Sequence, residues 1–196
     1  SENGRYYNSF AEFTADGEIG QIYDKFHLVP FGEYIPWGDA LASFGITAFA
    51  AQLGYGYSAG PGTRTLHDLA GRLPPAQVLI CYEAIFPHHL ITTGPNRPEW
   101  LIQITNDAWF GAVSGPLQHL AQARLRSIES GLPLLRAANT GVTAVIDARG
   151  QLRQTLALNT MGSIDTTLPA PLPTTVWSRT GDWPAVLAAL LALLWA

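Results

Sequence analysis

Apolar positions along the 196-residue chain fall in short runs separated by turn-forming residues, and each run carries the period of one kind of element. Asn8 to Phe13 alternates as a strand does, Asp16-Gly17 is a hairpin signal, and Ile19 to Tyr23 returns as a second strand. Leu66 to Leu69 predicts a short strand and Gly71 to Pro75 a turn. Val78-Leu79-Ile80 is an unbroken apolar run, the mark of a buried strand, and Trp100 to Thr105 is another. Between these two, Ala84 to Thr92 reads as a short helix despite Pro87. Pro116 to Ser130 predicts the best helix of the chain: Leu117, Leu120, Ala121, Arg124, Leu125 and Ile128 share one face, and Gly131 closes it. Arg124 on that face suggests a buried or interfacial ion pair. Strands are expected over Leu132 to Ala137, Val142 to Ile146, Leu152 to Leu156 and Met161 to Thr167, with hairpin turns at Asn139-Thr140-Gly141 and Asp147 to Gly150. Pro169, Pro171 and Pro173 make Leu168 to Thr175 an extended arm. This order of strands and helices predicts a layered α/β or α+β sandwich.

Three stretches depart from the pattern. Tyr23 to Pro36 holds Pro30, Gly32 and Pro36, which forbid a regular helix or central strand, so an ordered aromatic loop is expected. Leu41 to Leu53 is apolar and uncharged, and the glycine-rich, flexible stretch Gly54 to Gly62 follows it; together they suit core, a mobile lid or a lipid-facing surface. Trp183 to Ala196 carries no charged side chain and is apolar on every face. A helix of that length spans about 21 Å, short of the roughly 30 Å of a bilayer core, and the two readings are a buried core helix and a membrane helix cut short. The second is favoured by Asp182-Trp183-Pro184, a capped start with an interfacial tryptophan.

Composition sharpens this picture. Only 13% of residues are charged against 47% hydrophobic, a deficit that fits an enzyme lying against something apolar. A formal net charge of −4 gives no electrostatic case for nucleic acid. One cysteine rules out an intrachain disulfide and any multi-cysteine metal site. The N-terminal residues Ser1 to Tyr6 do not have the pattern of a signal peptide.

That single cysteine, Cys81, stands where the run Val78-Leu79-Ile80 ends, and α/β enzymes place nucleophiles at such strand ends. A buried cysteine acting as a small hydrophobe is the competing reading. Lys25, Glu33 and Glu83 are the other titratable groups on strand ends or ordered loops. A thiolate attacks an amide or ester carbonyl if its proton is removed, a positive charge holds the oxyanion, and a carboxylate shuttles protons. A lysine beside the cysteine serves the first two needs. His27, His67, His88, His89 and His119 form no convincing cysteine–histidine pair, and a structural or surface role is expected for each. Adjacent His88 and His89 point to different sides of a helix, so no metal site is expected.

The segment Tyr23-Asp24-Lys25-Phe26-His27-Leu28-Val29-Pro30-Phe31-Gly32-Glu33-Tyr34-Ile35-Pro36 resembles the lysine segment of the nitrilase, or carbon-nitrogen hydrolase, superfamily. Its extended part, Leu28 to Glu33, is similar to the apolipoprotein N-acyltransferase family in particular. Ile80-Cys81-Tyr82-Glu83 resembles the nucleophile segment. Asn106-Asp107-Ala108-Trp109-Phe110-Gly111, Gly115-Pro116-Leu117-Gln118-His119, Arg136-Ala137-Ala138-Asn139-Thr140-Gly141 and Arg179-Thr180-Gly181-Asp182-Trp183-Pro184 match the stretches that follow, in order and at sensible spacings.

The resemblance implies a nitrilase-like α-β-β-α sandwich, incomplete at its N-terminus, over residues 1–175. A linker over 176–182 and the start of a transmembrane helix over 183–196 would follow. It implies a monomeric, cofactor-free enzyme of the bacterial inner membrane with its catalytic domain facing the periplasm. Cys81 would take an acyl chain from a phospholipid as a thioester and pass it to the α-amine of a diacylglyceryl-cysteine on an apolipoprotein. Lys25 would hold the oxyanion, Glu33 would orient Lys25 or relay protons, and Tyr82 and Glu83 would shape the wall beside the nucleophile. A surface ion pair is the alternative for Glu33 and Glu83. The family's general-base glutamate lies upstream of the lysine segment, and Glu2, Glu12 and Glu18 do not match its setting; Glu12 and Glu18 read as solvated. The chain is therefore expected to be a C-terminal piece, inactive alone. The alternative activity is that of a soluble amidase using the same Cys81 and Lys25 on a small amide.

Overall fold

A computed structural model describes residues 5–37, 56–111 and 113–195. Among the described residues, eight strands form two sheets. The hairpin of β1 (Ser9–Phe13) and β2 (Ile19–Asp24) stands as a two-stranded antiparallel sheet. The larger sheet runs in sequence order through β3 (Thr65–Leu66), β4 (Ala76–Ile80), β5 (Trp100–Asn106), β6 (Leu134–Asn139), β7 (Thr143–Ile146) and β8 (Leu152–Leu156). Its centre, β4-β5-β6, is parallel and its flanks are antiparallel. All five residues of β4 are buried, as a parallel strand covered on both faces requires.

Alternation along these strands builds two cores. Ala76, Val78, Ile80 and Trp100 face the hairpin and pack with Tyr23, Leu66 and Leu69. Leu79, Leu101 and Leu134 face the other way, onto helix α1 (Gly115–Ser130), and pack with Leu120, Ala123 and Leu132. The result is helix, sheet and hairpin in layers. The parallel order of β4, β5 and β6 brings the ends of all three strands to one edge, where ligands bind in open α/β sheets.

Helix α1 begins one residue before the expected Pro116 and ends at Ser130 as expected, with Gly131 at φ 67° as its C-cap, but it buries a different face. The inward residues are Pro116, His119, Leu120, Ala123, Arg126, Ser127 and Ser130, while Leu117 is 56% exposed and Leu125 and Ile128 are also exposed. The physical reason is hydrogen-bond demand beneath the helix. Arg126 donates to the carbonyls of Ala84 and Ile85 and pairs with Glu129 at 2.8 Å, and small Ala123, Ser127 and Ser130 let the helix sit close. Among the described residues the exposed Arg124 has no ion pair of the kind expected; its Nε donates to the Gly150 carbonyl.

Other expectations also change. Ala84 to Thr92 is not an α-helix: Cys81–Ile85 and Pro87–His89 are short 3-10 turns, because Pro87 cannot continue a helix begun at Ala84. Leu69 leaves the expected strand for a 3-10 turn, Leu69–Gly71. Met161 to Thr167 forms no strand, and Met161 is fully exposed. Leu41 to Leu53 lies outside the described residues. The neighbouring Gly56–Gly62 stretch, read as flexible, is pinned along the lysine loop: Tyr57 N–H donates to Glu33 O, Ser58 N–H to Tyr6 O and Gly60 N–H to Lys25 O. A side chain at Gly60 would collide with the Asp24 carbonyl, so the close approach requires glycine.

Beyond the arm, 176–182 contains a short helix, α2 (Val176–Thr180), and α3 (Trp183–Trp195) follows with no buried residue. Among the described residues no helix is long and apolar enough to cross a membrane, so the expected span is not supported.

Candidate active site

Cys81 follows β4 directly and adopts φ 51°, a left-handed conformation that costs a non-glycine residue about 1 kcal/mol or more. The turn it starts leads the chain away from the sheet and leaves Cys81 at the wall of a cavity of about 530 Å³. Lys25, Glu33 and Tyr82 line the same cavity, together with apolar Val29, Ile80, Ile104 and Phe110.

Lys25 is only 1% exposed and its Nζ lies 2.6 Å from Glu33 Oε2. Glu33 also accepts from Val29 N–H at 2.8 Å and from Asn8 Nδ2 at 2.9 Å. The carboxylate thus fixes both the ammonium and the loop that carries it, which sets aside a surface ion pair for Glu33.

Glu83 is fully buried and its two oxygens have divided tasks. Oε2 accepts from Ile80 N–H at the end of β4, and Oε1 accepts from Tyr23 Oη, Phe26 N–H and His27 N–H in and beside the lysine loop. One side chain therefore ties the segment bearing Lys25 to the strand bearing Cys81. Burial pushes the Glu83 carboxyl above its usual range, against the pull of these donors, and burial with the neighbouring carboxylate raises the Tyr23 phenol. The surface reading of Glu83 does not survive this geometry.

Tyr82 continues into a ring cluster. His27 stacks on Phe86 at 4.0 Å between centroids, and His27 Nδ1 is 3.3 Å from His89 Nε2. Burial, with the charges of His88 and His27, lowers the His89 pKa to about 4. Its folded pKa lies below the ordinary 6.5, so the unfolded chain binds more protons between those values. Stability is expected to be retained above pH 6.5 and lost as pH falls towards 4. His89→Phe, which keeps a ring against Phe26 and Phe86, should flatten the fall in thermal midpoint over that window.

A second buried group includes His119, for which the sequence predicts only a structural or surface role. Arg136 Nη2 pairs with Asp107 Oδ2 at 2.5 Å, Asp107 Oδ1 lies 2.9 Å from His119 Nδ1, and His119 Nε2 lies 3.1 Å from the Cys81 carbonyl oxygen. Burial raises the Asp107 carboxyl, but His119 and the Arg136 charge outweigh it and hold it below the usual range. The available signal was a charge in an apolar strand, Arg136 after Leu134-Leu135. Gly141 approaches Asp107 so closely that a Cβ there would overlap its carboxylate. Gly141→Ala is expected to lower stability by about 1–3 kcal/mol, measurable by denaturant unfolding.

Of the upstream glutamates, Glu12 is not simply solvated: it accepts from Ala70 N–H and Gln21 N–H, which lower its pKa. Neither Glu12 nor the exposed Glu18 lines the cavity, and Glu2 lies outside the described residues.

A cysteine and a lysine–glutamate pair sharing one cavity beside a parallel strand end is an arrangement suited to acyl chemistry. The family model for carbon-nitrogen hydrolases matches residues 1–172, and the chain belongs to that family. The fold agrees: a CN-hydrolase superfamily protein from Xanthomonas campestris superposes with a TM-score of 0.57 at 18% identity, over 96% of this chain and 65% of that one. Within the family, the chain is 48% identical over 191 residues to the apolipoprotein N-acyltransferase of Rhodopseudomonas palustris, and 47% identical over 193 to that of Bradyrhizobium diazoefficiens. These alignments cover 97% and 98% of the chain but 35% of each relative, so it spans about a third of their length.

Proposed function

We propose that this chain carries the nucleophile and oxyanion-binding lysine of an apolipoprotein N-acyltransferase. The observation that carries the reading is the shared cavity: Cys81, Lys25 and Glu33 meet there among apolar walls suited to an acyl chain. The similarity to N-acyltransferases supports it.

In the first step the Cys81 sulfur attacks an ester carbonyl carbon of a phospholipid. The C–S bond forms, the tetrahedral oxyanion is held by the Lys25 ammonium, and the ester C–O bond breaks. The thiol proton, passed to the general base as the sulfur attacks, is returned to the leaving lysophospholipid alkoxide. In the second step the neutral α-amine of a diacylglyceryl-cysteine attacks the thioester. The C–N bond forms, the sulfur leaves as thiolate, and the amine proton passes to a carboxylate. Glu33, bonded to Lys25, orients the ammonium and is placed to relay that proton. Tyr82 shapes the cavity wall, and Glu83 acts through the backbone it ties together. The general base would be a glutamate supplied by another part of the natural polypeptide, without which residues 1–196 alone should be inactive.

The division into a catalytic part over 1–175, a linker over 176–182 and a membrane-associated helix from Trp183 belongs to the same proposal. In α3, Trp183, Leu190, Leu191, Leu194 and Trp195 are all exposed and no charged side chain is present, a surface that favours lipid over water. Hydrolysis of a small amide by a soluble enzyme has no need of such a helix. The reading implies a monomer in the bacterial inner membrane, its catalytic face towards the periplasm. Mass spectrometry of the natural full polypeptide with phospholipid tests it. A long-chain acyl adduct on Cys81, discharged by apolipoprotein, is expected; a Cys81 that stays unmodified while a small amide is hydrolysed would replace acyl transfer with the amidase reading.

A further inference from the structure

We propose that His119, Asp107, Gln103 and Arg136 form a positioning device for the nucleophile, gripping the Cys81 carbonyl from the helix side of the sheet. The inference rests on Cys81 being the reacting group. Its starting point is that Cys81 holds a left-handed backbone, a state that persists only where the surroundings over-determine it.

The side chains that over-determine it come from three separate elements and all are buried: Gln103 from β5, His119 from α1 and Arg136 from β6, with Asp107 just after β5. Arg136 can only donate, so the Gln103 Oε1 at 2.6 Å from Nη1 must be the amide oxygen. That fixes the Gln103 amide nitrogen towards His119 Nε2, at 3.1 Å, and the Cys81 carbonyl, at 3.5 Å. Asp107 accepts at Oδ1, so the His119 Nδ1 facing it carries a proton. A proton on His119 Nε2 as well makes that atom a donor to Cys81 O; without it Nε2 accepts from the Gln103 amide, and that amide is the donor facing the carbonyl, at 3.5 Å.

Geometry separates the device from the cavity. Ile80 and Ile104 line the cavity, whereas Gln103 and Arg136, on the alternate positions of their strands, face α1. The network lines no part of the cavity; it meets Cys81 at its main chain, with the charge of Arg136 felt by the sulfur as well. Asp107, His119, Arg136 and Gly141 belong to three of the sequence stretches that resemble the acyltransferases, and the network gives those stretches one physical task.

The test uses the natural full polypeptide in two assays: single-turnover acylation of Cys81 by phospholipid, and alkylation of Cys81 by iodoacetamide. His119→Phe is expected to slow both by about tenfold or more with the lipid KM unchanged, since small misplacements of a reacting group are costly in rate. His119→Gln, whose amide can set an N–H near the place of Nε2, should stay within about threefold of the parent. A folded His119→Phe that alkylates and acylates at the parental rates overturns the proposal. If that variant does not fold, the nearly isosteric Asp107→Asn decides in the same way: slowed reaction supports the device and parental rates overturn it. Failure of the acyl-transfer reading is distinguishable, because the parent itself would then show no lipid adduct while alkylation still reports on the network.

Discussion

Cys81→Ala in the natural polypeptide is expected to keep the fold and lose acyl transfer by about a thousandfold or more, the scale on which nucleophile removal acts. The fold should tolerate it because the sulfur carries little of the structure. Cys81 is only partly buried, and its ordering contacts run through the backbone, where the carbonyl meets His119. Alanine loses only that sulfur, a stability change of about 1 kcal/mol. The expected result is a thermal midpoint within about 4 °C of the parent together with a polypeptide that accumulates no acyl adduct. Sustained acyl transfer by the alanine variant would remove the thioester route altogether.

The second large effect is expected at Glu33. Glu33→Ala deletes the acceptor of three donors at once: Lys25 Nζ, Val29 N–H and Asn8 Nδ2. It leaves a buried ammonium without its counter-ion, and breaking a buried pair from one side typically costs about 3–5 kcal/mol. The lysine also loses the group that aims it, so acylation should fall by about a hundredfold even in molecules that remain folded. Lys25→Met combined with Glu33→Gln separates the two losses. With the ammonium gone, the neutral pair should recover much of the stability and none of the activity. Chemical denaturation and single-turnover acylation measure the two quantities independently. A Glu33→Ala protein as stable as its parent would show that the pair is not the anchor of the loop.

The two variants probe different links of one chain of cause. Cys81 supplies the bond that forms, whereas Glu33 governs where the charge stands when that bond forms. Glu83 lies behind both, since it spans from Ile80 N–H to the backbone beside Lys25. The cavity thus depends on two buried carboxylates and on a glycine-rich stretch held against the lysine loop at Gly60.

Local pattern determined a good deal here. The hairpin, the unbroken run ending at Cys81, the strand from Trp100 and the extent of the long helix all follow from periodicity and turn chemistry between neighbours in sequence. So does the loop around Lys25, because proline and glycine restrict the backbone whatever surrounds them. The resemblance implies one site for Lys25, Glu33 and Cys81, and all three line one cavity. Tertiary structure decided which face of that helix is buried, because the choice depends on what lies beneath it. Carbonyls of the turn after Cys81 needed donors, and Arg126 answers them, so Leu117, Leu125 and Ile128 stayed outside while Leu120 is buried. It also decided that Glu83 is a buried clamp, and that Asp107, His119 and Arg136 converge on one carbonyl. A polar side chain in sequence has no sign of burial; only the partners that satisfy it, brought from distant strands and a helix, make burial possible.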